Sequence, residues 1–144
     1  MSHKIQITFD CLDVRKLSQF YLQALHYKTM DPPKGFDTWE AAMEAWEVPR
    51  EEWYDGQHLV DPEGKRPNLY FQRMDTPKPE KNRLHLDVTV SGGREVPLAE
   101  RRRRIDSEVE RLLGIGAAKA YTMDEPQHYS VTLGDPEGNE FCLN

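Results

Sequence analysis

The stretch RLHLDVTV, residues 83 to 90, sets a histidine and a carboxylate two positions apart. In an extended chain, alternation sends His85, Asp87 and Thr89 to one face and Leu84, Leu86, Val88 and Val90 to the other. An imidazole beside a carboxylate can move a proton, with the carboxylate orienting the ring. The same pair can hold a divalent ion, because neutral imidazole is a common metal ligand. Near the end of the chain, EFCL (140–143) puts Glu140 and Cys142 on one face of a second extended segment. Cys142 becomes a nucleophile if a histidine lowers its pKa. Flanked by Phe141 and Leu143, it can equally be an inert, buried small hydrophobe. Tyr70 and the hydroxyls of Thr8, Thr89, Ser130 and Thr132 are further groups that could bond a polar ligand.

These side chains need elements to position them, and the chain supplies the same kind of unit twice. KIQITFDCLD alternates Ile5, Ile7 and Phe9 against Gln6, Thr8 and Asp10, the period of a strand. Asp13 reads as a helix N-cap, followed by an apolar stripe at Leu17, Phe20, Tyr21, Ala24 and Leu25. A turn at VDPEG and an alternating strand, NLYFQRM, close the first copy. In the second copy the strand at 83–90 precedes a helix over 100–117. Its stripe is Ile105, Val109, Leu112 and Leu113, and Gly114 or Gly116 is its stop. YSVTL, a turn and EFCL follow. Asp-Pro-Glu-Gly occurs at 61–64 and again at 135–138, with proline and glycine where a tight turn wants them. The aspartates Asp61 and Asp135, with Asn139, are accounted for as turn residues. The repeat defines two modules, 4–74 and 83–144, joined by a linker rich in proline and charge at 75–82.

The first module carries an insertion over 30–57. Asp37 or Thr38 caps a short helix running to Trp46, and Pro49 opens another helical turn. Trp39, Trp46 and Trp53 recur every seven residues. They either anchor the insertion to the body or wall a ligand pocket with flat apolar faces.

A chain of 144 residues makes one domain, or two small modules sharing a core, without a disulfide staple. Two cysteines, Cys11 and Cys142, are too few for a disulfide scaffold and lack zinc-site spacing, which fits a reducing cytoplasm. No apolar stretch suits a signal peptide or a membrane span. A net charge of −6 argues against nucleic acid and anionic membranes as partners. The basic run Arg101–Arg104 lies among acidic residues and reads as a solvated helix face. Lys81 and Arg83 either meet an anionic group or bridge to carboxylates such as Asp75 or Glu80.

CLDVRKLSQFY after the first strand, LYFQRM, PEKNRLHLDV and the terminal VTLGDPEGNEFCL together resemble the vicinal oxygen chelate superfamily, which includes glyoxalases, bleomycin-resistance proteins and extradiol dioxygenases. More narrowly, they resemble the glyoxalase-like domains of bacteria. The resemblance implies an α+β fold of two βαβββ modules, whose curved mixed sheets pair around a cleft. It also implies a cleft lined by Gln6, Thr8, Asp10, Tyr70, Gln72, His85, Asp87, Thr89, Glu140 and Cys142, with Trp39 and Trp46 contributed by the insertion. The superfamily's metal positions fall on Gln6, Gln72, His85 and Cys142. The glutamates of the pattern are missing, and hard cations normally require carboxylates. The expectation is therefore a protein that binds a small organic molecule without the usual metal. The alternatives are a lyase, isomerase or dioxygenase, either metal-dependent, with His85 as ligand and Asp87 or Glu140 replacing the missing glutamates, or metal-free, with His85 as base, and a protein-interaction module. A homodimer is the expected assembly, with the modules pairing within one chain or between two.

Overall fold

A computed structural model describes residues 5–82 and 84–144. The chain divides into two compact units, one ending at Pro77 and the other beginning at Lys78. Each has a strand, a helix and three further strands, and in the first a short helix and a 3-10 turn interrupt those three. The expected starts of the two modules, Lys4 and Arg83, lie outside the described residues, as does Arg83's suggested anion contact.

In the first unit, β1 (Gln6–Cys11) leads into α1 (Val14–Ala24). Asp13 caps α1 as expected, its side chain accepting from the Lys16 N–H at 2.9 Å. The chain continues through β2 (Lys28–Thr29), α2 (Trp39–Ala45), a single 3-10 turn at Arg50–Glu52, β3 (Gly56–Val60) and β4 (Asn68–Arg73). The sheet order is β1-β4-β3-β2, with β1 parallel to β4 and the other pairs antiparallel. Alternation sorts the faces. Ile7 pairs with Leu69 and Phe9 with Phe71, and Leu69, Phe71 and Leu59 are buried with Leu17, Phe20 and Tyr21 of α1. Phe9 and Phe71 stack at 5.1 Å, and Tyr21 tilts onto Phe9 at 4.7 Å. Such ring pairs add about 0.5–1.5 kcal/mol beyond their area.

The insertion begins as its caps dictate. Thr38 accepts from the Ala41 N–H at 3.1 Å, and Pro49 precedes the 3-10 turn. Two indoles tie it down. Trp39 Nε1 donates to the Met30 carbonyl at 2.7 Å, and Trp53 Nε1 to the Val48 carbonyl at 2.9 Å.

The second unit contains β5 (Leu86–Val88), α3 (Leu98–Gly114), β6 (Ala118–Glu125), β7 (His128–Gly134) and β8 (Glu140–Leu143), in the order β5-β8-β7-β6. Only β5 and β8 run parallel. The expected strand over 83–90 is shorter than its pattern. Leu84 is 71% exposed, so it has no core to enter and the alternation there orders nothing. Past β5, the N–H groups of Val90 and Ser91 both donate to the Asn144 carbonyl. The stripe of α3 is Ile105, Val109 and Leu112; Leu113 is 41% exposed, since it lies about 100° around the helix from Leu112. Gly116, not Gly114, ends the helix. It adopts φ +115°, and the Ala117 N–H reaches back to the Leu112 carbonyl at 3.0 Å.

Candidate functional site

Because paired residues share a face, the polar set of the first unit is gathered opposite α1. Thr8 pairs with Tyr70, Tyr70 with His58, Asp10 with Gln72 and Gln72 with Gly56. Gln72 Nε2 donates to Asp10 Oδ1 at 2.6 Å, so these two expected cleft residues hold one another. Gln6 pairs with Asn68, which leaves it four positions, roughly 13 Å, along the strands from Gln72.

Over this face, beside the insertion, lies a cavity of about 600 Å³. Its walls include Trp39, Trp53, Met30, Met43, His58 and Tyr70. His58 stacks on Tyr70 with ring centroids 4.3 Å apart. Gly56 makes this possible, because a Cβ there would stand 2.4 Å from the Tyr70 hydroxyl. Burial pushes the His58 imidazole below its usual pKa, which keeps the ring neutral near pH 7. Of the two tryptophans expected to line a cleft, Trp39 lines this cavity. Trp46 does not: it is 53% exposed and packs edge-on against Phe36 at 5.8 Å. A period of seven puts Trp39 and Trp46 on one side only of a continuous helix, and α2 ends at Ala45. His58, Met30 and Met43 were not legible as site residues. A signal for His58 did exist: a hairpin through Asp61 centred near Gly64 sets it opposite Tyr70.

The second unit assembles a different set. His85 Nε2 lies 3.4 Å from Asp87 Oδ1. One donor atom each from His85, Asp87 and Cys142 falls within 4.8 Å of the other two. Cys142 is half-buried, on the face of β8 away from the core, with its sulfur 3.2 Å from Thr132 Oγ1. That position does not suit the reading of a buried, inert hydrophobe. Glu140 pairs with Lys81, and that hydrogen bond holds its carboxyl below the usual range. Lys81 thus bridges to Glu140 and not to Asp75 or Glu80. Thr89 Oγ1 donates to Asn144 Oδ1 at 2.9 Å, beside a smaller cavity of about 280 Å³ that Arg94, Arg101 and His128 also line. Gln6 and Gln72 belong to the first unit, His85 and Cys142 to the second.

The three donors offer nitrogen, oxygen and sulfur, a set that suits zinc better than a hard, oxygen-seeking ion. They include a carboxylate that the superfamily positions themselves lack. As a group they can hold a divalent metal or, without one, share a proton between His85 and Asp87. Among the described residues, no helix is long and apolar enough to cross a membrane.

Comparison with known proteins agrees with this architecture. A family model described as a glyoxalase-like domain matches residues 6–144. Comparison with curated protein sequences gives no match. Among solved structures, a glyoxalase/bleomycin resistance protein/dioxygenase family enzyme from Burkholderia phytofirmans is similar at 17% identity and TM-score 0.60, over 96% of this chain and 94% of that one. FosX, a fosfomycin resistance protein from Listeria monocytogenes solved with Mn(II) and 1S,2S-dihydroxypropylphosphonic acid, is similar at 13% identity and TM-score 0.65, over 100% and 90%. A possible glyoxalase from Bacillus cereus follows at 11% identity and TM-score 0.59, over 99% and 98%. At these identities the likeness is one of fold.

Proposed function

Since the chain belongs to the glyoxalase-like domain family of the vicinal oxygen chelate superfamily, we propose that it binds a small organic molecule, and that the cavity of the first unit receives it. The observation carrying this reading is the cavity's make-up. Its volume of about 600 Å³ lies within the range of ligand pockets, and its walls combine aromatic and thioether surface (Trp39, Trp53, Tyr54, Tyr70, Met30, Met43) with polar and acidic side chains. The indole N–H bonds of Trp39 and Trp53 fix two of those walls in advance. A ligand then has little side-chain freedom to remove when it binds. His58, neutral and stacked, can donate or accept one hydrogen bond, and the Tyr70 hydroxyl can supply another.

A second reading rests on the His85, Asp87 and Cys142 cluster. These residues would hold zinc or a similar divalent ion, which when bound supplies Lewis-acid chemistry. Asp87 then orients the His85 ring, which serves as base if no metal is held. This is the lyase, isomerase or dioxygenase alternative, and FosX, which carries Mn(II), lends it support. The expected homodimer belongs to the same proposal. β6 is exposed along all eight of its residues and pairs only with β7, so its free edge is open to a second copy.

The test is a fragment screen by ligand-observed NMR, with hits ranked by quenching of tryptophan fluorescence. Hits in this cavity should lose at least about tenfold in affinity in Gly56→Ala, where the new Cβ displaces the Tyr70 ring, and in Trp39→Leu. Asp87→Ala should leave them unchanged. Hits that survive both cavity variants would place binding elsewhere, and a screen without hits would end the small-molecule reading.

A further inference from the structure

We infer that the ligand of the first-unit cavity is an organic cation, an amine or quaternary ammonium group carried on an apolar body. The inference rests on the cavity reading above and adds the ligand's charge. Three carboxylates line the cavity, Asp31, Glu40 and Glu52, and no lysine or arginine does. Asp31 is already matched by Lys28, 3.0 Å away. Glu40 and Glu52 form no ion pair among the described residues, and both are exposed at the rim. The insertion's one arginine, Arg50, pairs with Glu44 at 3.8 Å.

The aromatic walls point the same way. A ring face carries negative quadrupole charge, and Trp is the best of the three ring types for a cation. Two of the chain's own cations already use rings bordering this cavity. The Arg50 guanidinium lies 5.4 Å from the Trp53 ring centre, and Arg15 lies 5.0 Å from that of Tyr54. Neither guanidinium lines the cavity itself. Trp39 and Tyr70 carry no such partner among the described residues, and they wall the space a ligand would fill. His58 adds no opposing charge, because burial keeps it neutral. A cation would therefore find aromatic rings for its body and the carboxylates of Glu40 and Glu52 for its charge. An anion would meet two unpaired carboxylates and no lysine or arginine on the cavity wall.

Three probes of closely similar size and shape decide the matter: benzyltrimethylammonium, its uncharged carbon isostere neopentylbenzene, and the anion benzylphosphonate. Each is titrated into the full chain and followed by tryptophan fluorescence. The cation should bind at least about tenfold tighter than the isostere, with the phosphonate weakest. Raising salt from about 50 to about 500 mM should weaken the cation alone. The pair Glu40→Gln and Glu52→Gln should bring the cation within a few-fold of the isostere and leave the isostere's own affinity unchanged. If isostere or phosphonate binds as well as the cation, the charge inference is overturned and the cavity reading stands. The same holds if no probe binds while fragment hits are still lost in Gly56→Ala. If neither probes nor fragments bind, both fall.

Discussion

Of the four positions where the superfamily resemblance would put a divalent ion, Gln6 and Gln72 read glutamine and Cys142 reads a thiol. Yet the second unit brings the Asp87 carboxylate 3.4 Å from His85 Nε2 and into reach of the same sulfur. A carboxylate, lacking at the superfamily positions, thus lies two residues along from His85. That it shares a face with His85 follows from strand alternation and is legible in the sequence. That the three donors converge depends on side-chain conformers, which one sequence does not encode. On the metal reading, protein purified without a histidine tag takes up about one equivalent of zinc per chain. His85→Ala and Asp87→Asn should each weaken it by at least the 10–100-fold that losing even an outer-shell partner costs. Metal analysis after dialysis reads the result directly. Unchanged zinc content in both variants would remove the metal reading and leave His85 and Asp87 as a proton-sharing pair.

At the scale of elements, the repeated Asp-Pro-Glu-Gly is one device built twice. Asp135, 3% exposed, accepts from the N–H groups of Glu137 and Asn139 at 2.9 Å each and from Asn139 Nδ2 at 2.8 Å. Asp61, 6% exposed, accepts from the N–H groups of Glu63, Lys65 and Arg66. Each carboxylate is itself buried and gathers the backbone donors of its turn around it. Asp135→Ala should therefore cost about 1–3 kcal/mol, with Asp135→Asn milder because it keeps one acceptor oxygen. Urea unfolding would show it as a lower midpoint, and an unchanged midpoint in Asp135→Ala would mean that the turn is held by its backbone alone. Turns like these, and the helices α1 and α3, are legible because local chemistry decides them: caps, stripes and glycine at positive φ. Other elements are not. β6 spans Ala118–Glu125 with no buried residue, so no hydrophobic period announces it; pairing with β7 alone makes it a strand. β5 fails in the opposite sense. Leu84 extends the alternating pattern beyond the three residues that find partners in β8. His58 could be found only through the register of the hairpin about Gly64, because β3 buries only Leu59 and so carries almost no pattern of its own.

For the molecule as a whole, the perturbed groups combine into one pH profile of stability. The Asp61 carboxyl is pushed up by burial, but its three backbone donors outweigh this and hold it below its ordinary value. Glu100, bonded by Arg103 and Arg104, is held down at about 2, and Glu140, bonded by Lys81, is also lowered. A carboxyl with a lowered folded pKa binds fewer protons than in the unfolded chain. Its stabilisation is present above the ordinary carboxylate range and is lost as pH falls from about 4 toward about 2. His58, lowered by burial from 6.5, adds a shallower loss that begins as pH drops below that value, because the unfolded chain takes up the proton first. On the alkaline side, Tyr129 is raised from 10.0 to about 12, chiefly by donating to Asp106 at 2.5 Å. The folded chain keeps that proton longer, so stability falls as pH rises from about 10 to about 12. Urea midpoints measured across pH should thus be flat between about 7 and about 9.5, with a small acid shoulder, a steeper acid edge and an alkaline decline. His58→Gln should erase the shoulder alone, and Tyr129→Phe should soften the alkaline arm while leaving the acid edge in place. A shoulder that persists in His58→Gln would show that the ring is protonated in the folded chain as readily as in the unfolded one. The cavity would then carry a positive charge below pH 6.5, which would weaken a cationic ligand at the same pH.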